Sequence, residues 1–76
     1  LIKFLEGHMD WIAGAIELNN GNILLYSADG RASLWTKEGE LIKFLEGHRG
    51  PITGAIELSN GNILLYSRDG RASLWI

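Results

Sequence analysis

Leu1–His8 reads LIKFLEGH, and the same eight letters return at Leu41–His48, a sequence offset of 40. The identity extends further: stretches 1–36 and 41–76 differ at seven positions, so 29 of 36 match. Periods of roughly 20–50 residues mark stacked units that cannot each bury an apolar face alone, and one near 40 leaves helical pairs or four-stranded units as the main candidates. Local chemistry decides between them. Each repeat carries an Asn-Gly pair (Asn20-Gly21, Asn60-Gly61) and, nine residues on, an Asp-Gly pair (Asp29-Gly30, Asp69-Gly70), with a short apolar run between. Such dipeptides suit tight hairpin turns. No useful length of chain shows helical spacing. The reading is therefore all-β, with four strands per repeat: Leu1–Leu5, Ile12–Leu18, Asn22–Ser27 and Ala32–Thr36. The turn Lys37–Glu40 leads to Leu41–Leu45, and the other strands follow at the same offset.

The patterning of these strands predicts how they stack. Ile23, Leu24, Leu25 and Tyr26 are continuously apolar, as in a strand covered on both faces. Ala13, Gly14 and Ala15 are small, which suits a crowded position near a central axis. Lys3 and Glu6 place charge on and beside the Leu1–Leu5 strand, which fits an outer edge. Four-stranded sheets stacked radially, small-residue strand inside, make a β-propeller.

The same residues resemble the WD40 family over essentially the whole chain. Each repeat has a Gly-His pair (Gly7-His8, Gly47-His48) and the run Ser-x-Asp-Gly-x-x-x-Leu-Trp (Ser27–Trp35, Ser67–Trp75). Both together, once in each repeat and in the same register, form a specific signal. The resemblance implies a buried network of His, a hydroxyl, Asp and Trp that fixes each blade. Position by position these are His8, Ser27, Asp29 and Trp35, then His48, Ser67, Asp69 and Trp75. Leu25 and Leu65 occupy another position where relatives carry the hydroxyl. Thr36 and Ile76 replace the Asp that often follows the Trp in this family.

Composition narrows the function. Seven basic and nine acidic residues give a net charge of −2, which does not suggest a nucleic-acid binder. There is no apolar stretch of the roughly 18 residues a membrane span needs. The chain has no cysteine, hence neither disulfide nor thiolate metal site, a composition consistent with the cytoplasm. His8 with Glu6 falls short of the four or so ligands of a closed metal site. Ser27, His8 and Asp29 are the residue types of a hydrolytic triad. No nucleophile turn or oxyanion site accompanies them, so a structural network is expected and neither enzyme activity nor a cofactor is.

The seven differences between repeats carry the remaining signal. Five lie in or beside the two loop regions expected at one end of the sheets, where drift is tolerated. The sharper reading makes that end a recognition surface, with Met9, Trp11 and Ala28 in one repeat and Arg49, Pro51 and Arg68 in the other. Trp11 is expected to pack over the top of its strand, or else to stand exposed as a binding anchor.

In a WD40-like arrangement, Leu41–Leu45 closes the sheet begun by Ile12–Thr36. The sheet of Ile52–Ile76 then lacks an outer strand, while Leu1–Leu5 lacks a sheet. Head-to-tail strand addition between copies follows, and it closes if the rotation per chain divides the circle. Repeats 1–40 and 41–76 supply two blades per chain. The expectation is a homotetramer of eight blades, with a homotrimer of six as runner-up. The leading functional reading is a non-enzymatic scaffold for protein or peptide partners. The alternatives are a carbohydrate-binding propeller or a designed or excised two-blade unit, the latter suggested by near-identical repeats, the lack of an initial Met and ends that fall within strands.

Overall fold

Seven strands form in the computed structural model, which describes all of residues 1–76. They are β1 (Ile12–Glu17), β2 (Ile23–Ser27), β3 (Ala32–Trp35), β4 (Leu41–Leu45), β5 (Ile52–Glu57), β6 (Ile63–Ser67) and β7 (Ala72–Trp75). The fold is all-β: an antiparallel four-stranded sheet in the order β1-β2-β3-β4, and an antiparallel three-stranded sheet in the order β5-β6-β7. No helix is long and apolar enough to cross a membrane.

The hairpin turns repeat one device. Leu18 N–H donates to Asn22 O at 2.8 Å and Gly21 N–H to Leu18 O at 2.9 Å. This encloses a three-residue loop whose last residue, Gly21, sits at φ +89°. The same pair of bonds recurs around Gly30, Gly39, Gly61 and Gly70. All positive φ angles fall on glycine, so the Asn or Asp ahead of Gly21, Gly30, Gly61 and Gly70 contributes its side chain rather than a left-handed backbone. Leu18, Asn22 and Thr36, expected at strand ends, belong to these turns.

Alternation assigns two faces to each sheet. In the first sheet Leu24, Leu34, Ile16 and Leu45 face the second sheet. There they meet Ile52, Ala55, Ile63 and Leu65, and together these residues form the core. Ile23, Leu25, Ser33 and Trp35 lie on the opposite face, as the registers Ile23↔Trp35 and Leu25↔Ser33 require. The contact is thus between unlike faces of two near-identical units. It leaves the far face of the second sheet exposed at Ile56, Tyr66 and Leu74, whereas Leu25, Ser33 and Trp35 on the far face of the first sheet are buried.

Three expectations change. Leu1–Leu5 forms no strand, and Leu1, Ile2 and Phe4 are exposed, although β4 has the same sequence. The difference is the partner: β4 pairs with the edge of β3, whereas Leu1–Leu5 pairs with no strand of its own chain, and the edge of β7 stays unpaired. Second, continuous burial holds for β2 and β3 but not for their copies β6 and β7, whose outward face nothing covers. Third, one of the small residues of β1 answers to a local partner as well. Tyr26, opposite Gly14 across the strand pair, lays its ring in the space a Cβ there would take, and Tyr66 does the same over Gly54.

Candidate functional site

Each repeat builds one hydrogen-bonded chain of side chains. His8 Nδ1 lies 3.0 Å from Asp29 Oδ2 and its Nε2 lies 2.7 Å from Ser33 Oγ. Trp35 Nε1–H donates to the same Ser33 Oγ at 2.7 Å. Trp can only donate and carboxylate only accept, so donation runs in one direction with a neutral His8: Trp35 to Ser33, Ser33 O–H to Nε2, and Nδ1–H to Asp29. The second repeat copies it, with His48 Nδ1 3.1 Å from Asp69, His48 Nε2 2.6 Å from Ser73, and Trp75 donating to Ser73 at 2.7 Å. No buried side-chain nitrogen or oxygen lacks a partner.

This corrects the serine assignment. The hydroxyl that joins His to Trp belongs to Ser33 and Ser73, not Ser27 and Ser67. Ser27 Oγ instead accepts the N–H of Asp29 at 3.0 Å, and Ser67 Oγ that of Asp69 at 3.1 Å, holding the turn in which the Asp sits. The hydroxyl has a geometric substitute: Ser33 is directly opposite Leu25 across the β2–β3 pair, and Ser73 opposite Leu65.

The aspartates are strongly held as anions. Burial alone would raise the Asp29 carboxyl, but donors from the Met9 and Arg31 backbones, His8 and Ser27 outweigh it and keep it well below the usual carboxylate range. For Asp69 the Arg49 backbone N–H is the largest influence; burial opposes it, and Arg71 N–H, His48 and Ser67 add to it. Ser33, His8 and Asp29 are ordered as a catalytic triad would be, yet Ser33 is wholly buried and its Oγ is engaged by both His8 and Trp35. That geometry locks a turn to a strand and offers a substrate no approach. No group of three or more His, Cys, Asp or Glu side chains is placed to hold a metal ion.

Arg31 and Arg71, two residues after each Asp, also join the network. Arg31 Nη2–H donates to Gly7 O at 2.6 Å and lies 3.4 Å from Asp29, and Arg71 reaches Gly47 O at 2.5 Å. Sequence reasoning missed Ser33 and the arginines. Ser33 was detectable from alternation, since a residue two before Trp35 on one strand must share its face.

At the loop end, a cleft of about 610 Å³ opens between the two sheets. Trp11, Ala28, Pro51 and Arg68 line it with Asp10 and Thr53. Four of the six candidate recognition residues therefore converge, while Met9 and Arg49 lie outside the lining. Trp11 does not pack over its strand; it is 76% exposed. Its backbone carbonyl accepts Ala28 N–H at 3.0 Å, and Pro51 O accepts Arg68 N–H in the same way, which pins the cleft walls to the turns.

No family model matches this chain, and no curated protein matches it.

Proposed function

We propose that the two sheets are WD40-like propeller blades and that copies of the chain add head-to-tail into a closed ring, which serves as a non-enzymatic scaffold for a protein or peptide partner. One observation carries this reading. The faces in contact within the chain are the inward face of the first sheet and the opposite-sense face of the second. The two faces outside this contact are their counterparts from the other repeat, and the one on the second sheet is exposed at Ile56, Tyr66 and Leu74. A second copy therefore meets the first through the contact the chain already makes with itself, and such a heterologous contact propagates until it closes. The unpaired β7 edge and the unpaired Leu1–Leu5 segment fit the same step.

Partner binding is assigned to the loop-end cleft, where beside Pro51 an exposed Trp stands with Arg68, two side-chain types that anchor interfaces. The cysteine-free composition suits a cytoplasmic setting. The test is the solution mass by light scattering or native mass spectrometry. Four times the mass of one chain is expected; a folded single chain at every concentration refutes the assembly.

A further inference from the structure

The first sheet contains a filled socket whose twin in the second sheet is empty. In the first sheet, Phe44 stands opposite Ser33 on the β3–β4 pair. His8 meets its ring edge-on, with centroids 5.5 Å apart and planes at 81°. The Arg31 guanidinium lies 4.1 Å above its face and 3.4 Å from Glu46. Gly7, at φ +137°, leaves the ring its room: a Cβ there would lie 2.9 Å from Phe44 Cζ.

The counterparts of these groups, Gly47, His48, Arg71, Ser73 and Trp75, line a cavity of about 180 Å³ beside the β7 edge. Nothing lies within 4 Å of a Cβ built on Gly47, whose φ is +138°. The Arg71 side chain is 59% exposed where that of Arg31 is 22% exposed. Yet the socket is already set, because Arg71 and His48 keep the hydrogen bonds to Gly47 O, Asp69 and Ser73 that Arg31 and His8 make in the first repeat. A dry cavity of about 150 Å³ admits a benzene ring, so the volume suits a phenyl group.

The geometry points to Phe4 of a second copy as the occupant, and this rests on the head-to-tail reading above. Leu1–Glu6 repeats Leu41–Glu46 letter for letter, and Phe4 is 71% exposed in its own chain. Its own chain does not deliver it, since His8 is bonded to Asp29 and the Lys3 and Leu5 side chains lie against Gly39, all on the first sheet. Carrying the β3–β4 register over to the second repeat puts the partner's Leu5 opposite Ala72, the partner's Phe4 opposite Ser73 and the partner's Lys3 opposite Leu74. The partner's Glu6 then meets Arg71 as Glu46 meets Arg31. The site is a strand-addition groove that reads one aromatic ring by an imidazole edge and a guanidinium face, and it is incomplete without the second copy.

The test compares the native chain with Phe4→Ala and Phe4→Leu by following oligomer mass on dilution. Phe4→Ala is expected to raise the dissociation midpoint by about 30-fold or more, with Phe4→Leu between it and the native chain. Native rings with unchanged Phe4→Ala rings overturn the socket and leave strand addition standing; a native chain that never associates overturns both. A second measurement needs no variant. The native chain is refolded from denaturant with an excess of the peptide LIKFLEG, or of LIKALEG. The first is expected to lower the yield of rings and the second not; equal yields overturn the socket.

Discussion

Replacing Ser33 by Ala removes a single oxygen, but that oxygen is shared. Ser33 is 0% exposed, and its Oγ is 2.7 Å from both Trp35 Nε1 and His8 Nε2. The substitution strands an indole donor and an imidazole acceptor in a site closed to water. Each unsatisfied buried group costs about 1–3 kcal/mol, so Ser33→Ala is expected to lose about 2–5 kcal/mol. Ser27 is equally buried, but its hydroxyl serves Asp29 alone, accepting that residue's backbone N–H and donating to its carboxylate. Ser27→Ala is expected to lose about 1–2 kcal/mol. The assay is thermal unfolding by circular dichroism at one fixed chain concentration, since any association shifts the midpoint. For a domain of this size about 1 kcal/mol moves Tm by about 4–8 °C, which puts Ser33→Ala at least about 8 °C below the native chain. Equal losses for the two variants, or a larger loss for Ser27→Ala, refute the hydrogen-bond assignment.

Two further outcomes follow from the same geometry. Asp29 and Asp69 ionise at lower pH folded than unfolded, so their contribution is complete above the unfolded value of about 4 and drains away as pH falls below it toward the folded values. Tm is expected to fall with acid below about pH 4, and Asp29→Asn with Asp69→Asn to flatten that fall; an unflattened profile rejects the aspartates as its source. Gly30 and Gly70 share φ +85°, but a Cβ on Gly30 would lie 2.7 Å from His48 O whereas Gly70 faces open space. Gly30→Ala should therefore destabilise the chain itself, while Gly70→Ala should cost about 1–2 kcal/mol of backbone strain and block assembly, where the partner's loop would meet it. Intact Gly70→Ala rings contradict the head-to-tail geometry.

Identical letters with different outcomes show what the sequence could disclose. LIKFL is a strand at Leu41–Leu45 and none at Leu1–Leu5, because a strand needs an edge to pair with: β4 has that of β3, and Leu1–Leu5 pairs with none in its own chain. ILLYS is more deeply buried in β2 than in β6, since the outward face of β6 has no neighbour. The turns and β1–β7 were legible because glycine placement and apolar runs act locally. The hydroxyl was not, because Ser27 fits the motif spacing while Ser33 fits the geometry, two residues from Trp35 and on its face. Gly14 read only as a small residue, because the Tyr26 ring that lies across it comes from the neighbouring strand. The cleft takes Trp11 from one repeat and Pro51 and Arg68 from the other, so only their differences along the chain hinted that they meet.

The most direct test of the assembly is a cross-link placed by register. Leu34 pairs with Lys43 in the first sheet, so Leu74 should pair with the partner's Lys3. The chain has no cysteine, and Lys3→Cys with Leu74→Cys introduces two thiols and no others. Cross-strand neighbours fall within the roughly 4.4–6.8 Å Cα separation a disulfide needs. Mild oxidation followed by denaturing mass measurement should give a covalently closed tetramer with every thiol consumed. A population of single chains with both thiols free contradicts head-to-tail strand addition.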